Sequence, residues 1–164
     1  MPLSMYEISV SLLIRNLRNL AQVLAKADAH SIEKGFDDKR LLDVRLFPDM
    51  FTLSRQVQVA CDFSKGAVAR LAGVEAPSYE DNEETFEELQ SRIDKTIAFI
   101  DSVSPDQIDG TEEKEITQFD FNFQGSNYLL KFVIPNVIFH TTTAYNILRH
   151  NGVEIGKMDF LGMN

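Results

Sequence analysis

The chain has no tryptophan, one cysteine and only five prolines among its 164 residues. A lone cysteine, Cys61, cannot form an intrachain disulfide and suits a reducing compartment. Asp62 beside it would raise a thiol pKa and no histidine adjoins it, so Cys61 reads as a buried, inert thiol rather than a nucleophile. Clusters of basic residues are missing too. Arg15, Arg18, Lys26, Arg40, Arg45, Arg55, Lys65 and Arg70 are scattered among apolar positions, a pattern that argues against nucleic-acid binding. No apolar run approaches the roughly 20 residues of a membrane span, because Lys131, Pro135 and Asn136 interrupt the best candidate. The opening MPLSMYEIS has neither the basic start nor the apolar core of a signal peptide. A cytoplasmic protein with no membrane or nucleic-acid partner is expected.

The common catalytic signatures are also absent. There is no GxGxxG, no phosphate-binding loop ending in Gly-Lys-Ser/Thr, no HExxH and no GxSxG. Carboxylate-bridged di-iron bundles need Glu-x-x-His on two helices, and no such tetrapeptide occurs.

What is present has the proportions of an ordinary globular domain, 44% hydrophobic and 25% charged, in a length that suits one domain over 1–164. The net charge of −9 is uneven: Glu75 to Glu115 holds 14 acidic and 3 basic residues, leaving the remainder close to neutral. The acidic stretch reads as a solvated helix face.

Four segments carry helical periodicity. Tyr6, Val10, Leu13, Leu17, Leu20 and Leu24 alternate steps of four and three, with Ser4 and Glu7 as a capping box and an end near His30, before Gly35. After a mixed stretch, Phe36 to Phe47, in which Asp38 to Val44 suits a short helical turn, Pro48 is placed for the first turn of a second long helix. Its stripe is Met50, Leu53, Val57, Ala60, Ser64, Ala67 and Leu71, stopped by Gly73. A third helix is expected to open in the acidic run Asp81 to Glu84, to bury Phe86, Leu89, Ile93, Ile97 and Ile100, and to close at Ser104-Pro105. Phe119, Phe121 and Phe123 then alternate with polar residues, the pattern of a half-buried strand. The fourth helix, capped by Ser126, carries Pro135 where a kink is expected and stops at Asn151-Gly152. The tail Val153 to Asn164 is expected to wrap over the bundle. The fold class expected is all-α: a four-helix bundle with a short extended or hairpin insertion before the fourth helix.

One histidine stands out in that bundle. Val133, Val137, His140, Ala144 and Ile147 share a face of the fourth helix, so the imidazole points inward, flanked by Asn136 and Thr143. On the second helix Gln56 and Ser64 fall in the apolar sector and Asp62 nearly opposite it. Buried side chains of these kinds need hydrogen-bond partners, and facing one another they form either a structural polar cluster or a ligand pocket. One histidine alone is a poor metal site. His30 and His150, at the ends of the first and fourth helices, suit the negative end of the helix dipole.

These residues resemble a known group. The segments LFPDMFTLSRQVQVACDFSKGAVARLAGV and IPNVIFHTTTAYNILRHNGVEIGK, within a resemblance running from SMYEISV to KMDFLG, are similar to a bacterial family of unknown function in the DinB/YfiT-like superfamily. The resemblance implies an up-down-down-up bundle, a homodimer formed by helix packing, and metalloenzyme ancestry with one histidine from the second helix and an HxxxH pair from the fourth. His140 matches the second histidine of that pair, but Asn136 stands at the first. The second helix has no histidine; Gln56 by phase, or Asp62 by rough alignment, occupies the equivalent region, and Thr141 to Thr143 replace a common Arg-Gly-Gln.

Two readings follow. In one, His140, Asn136, Thr143 and Gln56 line a pocket for a small molecule, with His140, Asn136 and Asp62 as a degenerate site for a weakly held zinc or nickel ion and thiol-dependent transfer as the reaction the resemblance suggests. In the other, the cluster is structural, and a metal-free homodimer acts through protein partners, using Ile8, Leu12 and Ile14 as spare apolar surface on the first helix.

Overall fold

The computed structural model describes residues 3–163; Met1, Pro2 and Asn164 of the expected 1–164 unit, and with them the first residues of MPLSMYEIS, lie outside the described residues. A π-helical turn, Glu7–Ser11, leads into α1 (Leu12–Lys34), which is followed by α2 (Lys39–Leu42), α3 (Leu53–Ala72), α4 (Phe86–Asp101) and α5 (Pro105–Ile108). The antiparallel strands β1 (Glu115–Gln118) and β2 (Phe121–Gln124) come next. The short α6 (Gly125–Asn127), a π-helical stretch Tyr128–Val133 and α7 (Ile134–His150) make one further long helical unit, and α8 (Lys157–Leu161) closes the chain. The two strands are the hairpin form of the expected insertion before the last long helix, and they make the structure mainly helical with one hairpin instead of strictly all-α. Among the described residues no helix is long and apolar enough to cross a membrane.

α1 packs on α4 and α7, and α3 packs on the same two helices, so the four long elements form a ring. The apolar stripes supply its interior: Leu13, Leu17 and Leu24 of α1, Leu53, Val57 and Leu71 of α3, Leu89 and Ile93 of α4, and Ile147 of α7 are all fully enclosed. Each such aliphatic side chain contributes about 1.5–3 kcal/mol relative to leaving it in water. Ile14 is also in the core, so it is not spare surface, whereas Ile8 and Leu12 are half-buried.

Several boundaries differ from expectation, each for a local reason. α1 continues a turn past His30 to Lys34, where Gly35 takes a left-handed conformation at φ 69° that releases the chain. Ser4 Oγ does accept the Glu7 amide, at 3.2 Å. α3 begins at Leu53, not near Pro48, because the Thr52 hydroxyl caps it by accepting the Arg55 amide; Pro48 lies instead in a turn closed by Met50 N–H to Phe47 C=O at 2.9 Å. α4 begins at Phe86, after the acidic run. Thr85 and Glu88 exchange side-chain and backbone hydrogen bonds there in a capping box, which satisfies the helix start more completely than charge alone. After Ser104-Pro105 the chain makes the short helix α5 instead of ending helical structure. Ser126 does not cap the last long helical unit, which begins at Gly125. Its hydrogen-bond ladder widens to the π form immediately before Pro135, a place where the missing proline amide is readily accommodated.

The phenylalanine alternation is broken by a hairpin turn. Gln118 pairs with Phe121, leaving Phe119 and Asp120 as a two-residue turn at φ 49° and 64°. Turns of this kind favour Asn-Gly, so this one holds backbone strain. Phe119 and Phe121 are exposed and only Phe123 is half-buried, which corrects the half-buried strand face. The tail does lie over the bundle: Asn19 and Arg15 of α1 donate to the Phe160 and Leu161 carbonyls, and Lys26 pairs with Asp159.

Candidate functional site

α3 and α7 face each other through their stripes, and this contact brings Gln56 against His140. The two are buried, and His140 Nδ1 lies 2.7 Å from Gln56 Oε1. The Gln56 amide nitrogen donates to the Phe51 carbonyl at 3.3 Å, which fixes the amide with its oxygen toward the imidazole. An acceptor opposite Nδ1 requires Nδ1 to carry the proton, leaving Nε2 with its lone pair. Nε2 has no protein partner among the described residues. It is also not wholly enclosed, since among the described residues the one fully enclosed side-chain nitrogen or oxygen without a partner is Arg92 Nε. The imidazole is stacked on Phe51 and Phe63 at interplanar angles of 17° and 21° and meets Phe139 edge-on at 87°. Phe51 and Phe139 are about half exposed, so the aromatic surround reaches the surface.

Burial, and secondarily the Arg55 charge, hold the His140 pKa below its ordinary value. Below about pH 6.5 the unfolded chain takes up a proton that the folded chain resists, so this site contributes stability at neutral pH that is lost on acidification. Urea midpoints measured at about pH 7.5 and about pH 5.5, either side of that ordinary value, are expected to fall more for the native protein than for His140→Gln. Equal falls would contradict the assignment.

The remaining expected site residues do not join this pair. Asn136 donates to the Phe132 carbonyl at 2.6 Å and Thr143 to the Phe139 carbonyl at 2.7 Å, both on their own helical unit. Asp62 lies on another side of α3, where it bonds Arg92 at 3.0 Å and pairs with Lys65. Among the described residues no three of His, Cys, Asp or Glu come together as a metal-ligand group. The metal that the superfamily resemblance implies therefore does not fit this donor set. The Asp62 carboxylate is engaged by Arg92 and Lys65, the Gln56 oxygen is occupied by Nδ1–H, and Asn136 adds only a weakly ligating amide oxygen.

Sequence reasoning missed a second polar centre. Arg92 of α4 is fully buried. Its guanidinium bonds Asp62 at 3.0 Å, Asp81 at 2.9 Å, Glu83 at 2.9 Å and the Glu80 carbonyl at 3.0 Å. Arg55 pairs with Asp81, and Gln58 donates to Glu83 at 2.9 Å. The Tyr79 ring lies against Arg92, Lys65 and Lys95, with the charged groups 5.5, 4.8 and 5.2 Å from its centre. Asp81 and Glu83 thus close on a buried cation, which corrects their reading as part of a solvated acidic face. The available signal was phase: Leu89, Arg92 and Thr96 step by three and four, placing a charge beside the buried stripe. Cys61 is buried as expected, and burial pushes its thiol pKa up to about 12.

Comparison with known proteins places this geometry. Residues 5–161 match the model of a family described as "Domain of unknown function (DUF1993)". A crystal structure of a DinB family member protein from Shewanella denitrificans superposes with a TM-score of 0.91 at 40% sequence identity, over 96% of this chain and 91% of that one. No match is found among functionally curated proteins.

Proposed function

The chain belongs to the DUF1993 family and is DinB-like, and from that premise we propose that it is a metal-independent, small-ligand-binding bundle whose polar anchor is Nε2 of His140. The observation that carries the reading is the lock on the imidazole. Gln56 holds the proton on Nδ1, burial keeps the ring neutral, and three aromatic rings surround it while Nε2 stays open to a donor. A neutral imidazole so placed accepts a hydrogen bond from a ligand and can take a proton from an acidic one. A thiol is the donor suggested by the DinB/YfiT-like resemblance, its S–H donating to the Nε2 lone pair.

The test is nitrogen NMR of the imidazole in freshly purified, metal-analysed protein. A protonated Nδ1, an unprotonated Nε2, and a saturable Nε2 shift on adding a low-molecular-weight thiol such as cysteamine are expected. The shift should vanish in Gln56→Leu. Stoichiometric zinc or nickel in the protein, or no Nε2 response to the thiol, would overturn the reading.

A second reading, association of two copies, is favoured by the outward face of the last long helical unit. Ile138 is 43% exposed there and lines a groove with the half-buried Leu12 of α1. Sedimentation of the native protein is expected to show a dimer, and Ile138→Glu a monomer; a native monomer would rule this reading out.

A further inference from the structure

Beside the Gln56–His140 contact, with Phe63 as a shared wall, a cleft of about 310 Å³ opens between α3 and the β1–β2 turn. Its floor and walls include Phe63, Gly66, Lys65 and Arg70 of α3, with Gln118 and Phe119 from the hairpin. The space holds roughly ten waters' worth of liquid volume, at the small end of ligand pockets.

The charged residues that line it are Arg55, Asp62, Lys65 and Arg70. Arg55, Lys65 and Arg92 are matched by Asp62, Asp81 and Glu83 in the ion cluster. Arg70 pairs with no carboxylate among the described residues. Instead its Nη1 donates to Tyr128 Oη at 3.2 Å. Having accepted that bond, the Tyr128 hydroxyl directs its own hydrogen to Gln118 Oε1, 2.6 Å away. The oxygen of the Gln118 amide is thereby used, and its NH2 is left without a partner among the described residues, on a side chain only 9% exposed that lines the cleft. Arg70 and Gln118 thus meet at one phenol oxygen, and both line the cleft.

Two further features shape the cleft. A methyl at position 66 would lie 2.6 Å from Arg70 Nη1, so glycine is what lets the guanidinium fold back over the helix. The strained Phe119-Asp120 turn places an exposed aromatic ring on the opposite wall, against Phe132 at 6.4 Å. Phe63 supplies a second ring.

We propose that this cleft binds a small aromatic carboxylate. Its carboxylate bridges the Arg70 guanidinium and the Gln118 amide NH2, and its ring packs between Phe63 and Phe119. One surplus positive charge matches one negative charge, and paired planar donors suit a carboxylate. The proposal does not depend on His140.

The probe is 2-naphthoate, titrated into the full-length protein and followed through the Arg70 and Gln118 side-chain N–H signals. A ligand of that size is expected to saturate with a Kd of about 1 mM. The neutral isostere 2-naphthamide and inorganic phosphate should each bind at least about tenfold more weakly, a factor set by one lost charge-assisted contact. Gln118→Glu keeps an oxygen for Tyr128 but places an anion against the carboxylate, and it should abolish the response. Arg70→Gln should weaken binding about tenfold or more while circular dichroism is unchanged. Absence of saturation by naphthoate, equal affinity for naphthamide or phosphate, or undiminished binding in Gln118→Glu would each overturn the proposal.

Discussion

Replacing Arg92 by alanine is expected to remove about 3–5 kcal/mol of folding stability, measured as a shift in the urea unfolding midpoint at constant slope. The loss does not come equally from the three carboxylates that Arg92 holds. Asp62 and Asp81 are 36% and 41% exposed and retain Lys65 and Arg55 as partners, so their share is small. Glu83 is different: its side chain is 7% exposed, and without Arg92 only the Gln58 amide faces it. An enclosed carboxylate left without its cation must protonate or draw in water, and the Glu80 carbonyl loses its donor as well. The double variant Arg92→Met, Glu83→Gln separates the explanations. Removing both charges should restore most of the loss, because a buried pair is worth far less than the cost of breaking it. A double variant as unstable as Arg92→Ala would mean that packing volume, not the orphaned charge, is responsible.

Gly125→Ala should be nearly as damaging, by about 3 kcal/mol, at the upper end of the usual cost of overpacking. Its Cβ would lie 2.0 Å from the Thr111 carbonyl oxygen and 3.4 Å from Leu71 Cδ2. The first neighbour is backbone, in the loop whose Glu112 carbonyl accepts the Ser126 amide, so it cannot simply rotate away. A melting temperature about 10 °C lower is expected for a chain of this size. Gly66→Ala is the control: it too creates a short contact, at 2.6 Å, but with the tip of the Arg70 side chain. That tip can move, and alanine is favoured over glycine in a helix interior by roughly 1 kcal/mol. Gly66→Ala should therefore be neutral or stabilising, and a Gly125→Ala protein of unchanged melting temperature would show that the α6 entry yields more than its contacts imply.

Much of this architecture was legible in one dimension. The four apolar stripes, the glycine stops at Gly35 and Gly73, and the inward phase of His140 follow from helical periodicity and the left-handed preference of glycine. Even the encounter of Gln56 with His140 was available, because both lie in apolar sectors of helices that share a seam. The starts of α3 and α4 were misplaced where hydroxyl caps at Thr52 and Thr85 outweighed a proline and an acidic run. The hairpin turn was hidden because Phe-Asp is a poor turn sequence, and its strain is held by the surrounding structure. Asp62 was assigned to the wrong neighbourhood for a deeper reason. Its partners come from α4 and from the loop before it, and no spacing along α3 encodes them. The same holds for Arg70, Tyr128 and Gln118, which three separate elements bring to one point.

The buried Arg92 cluster also bears on how α3 and α4 find their alignment. A seam of leucines and isoleucines tolerates sliding, since a shift of one helical turn exchanges one aliphatic contact for another. A shift of about 5.4 Å would carry the guanidinium away from Asp62 of α3 and Glu83 away from Gln58, leaving a buried cation without its partner on the neighbouring helix. Arg92 thus acts as a locating pin, adding little to the depth of the correct arrangement while raising the energy of the slipped ones. The acidic loop before α4 is drawn into the same constraint. It is fastened at the point where two helices must be registered and cannot serve as a slack tether between them.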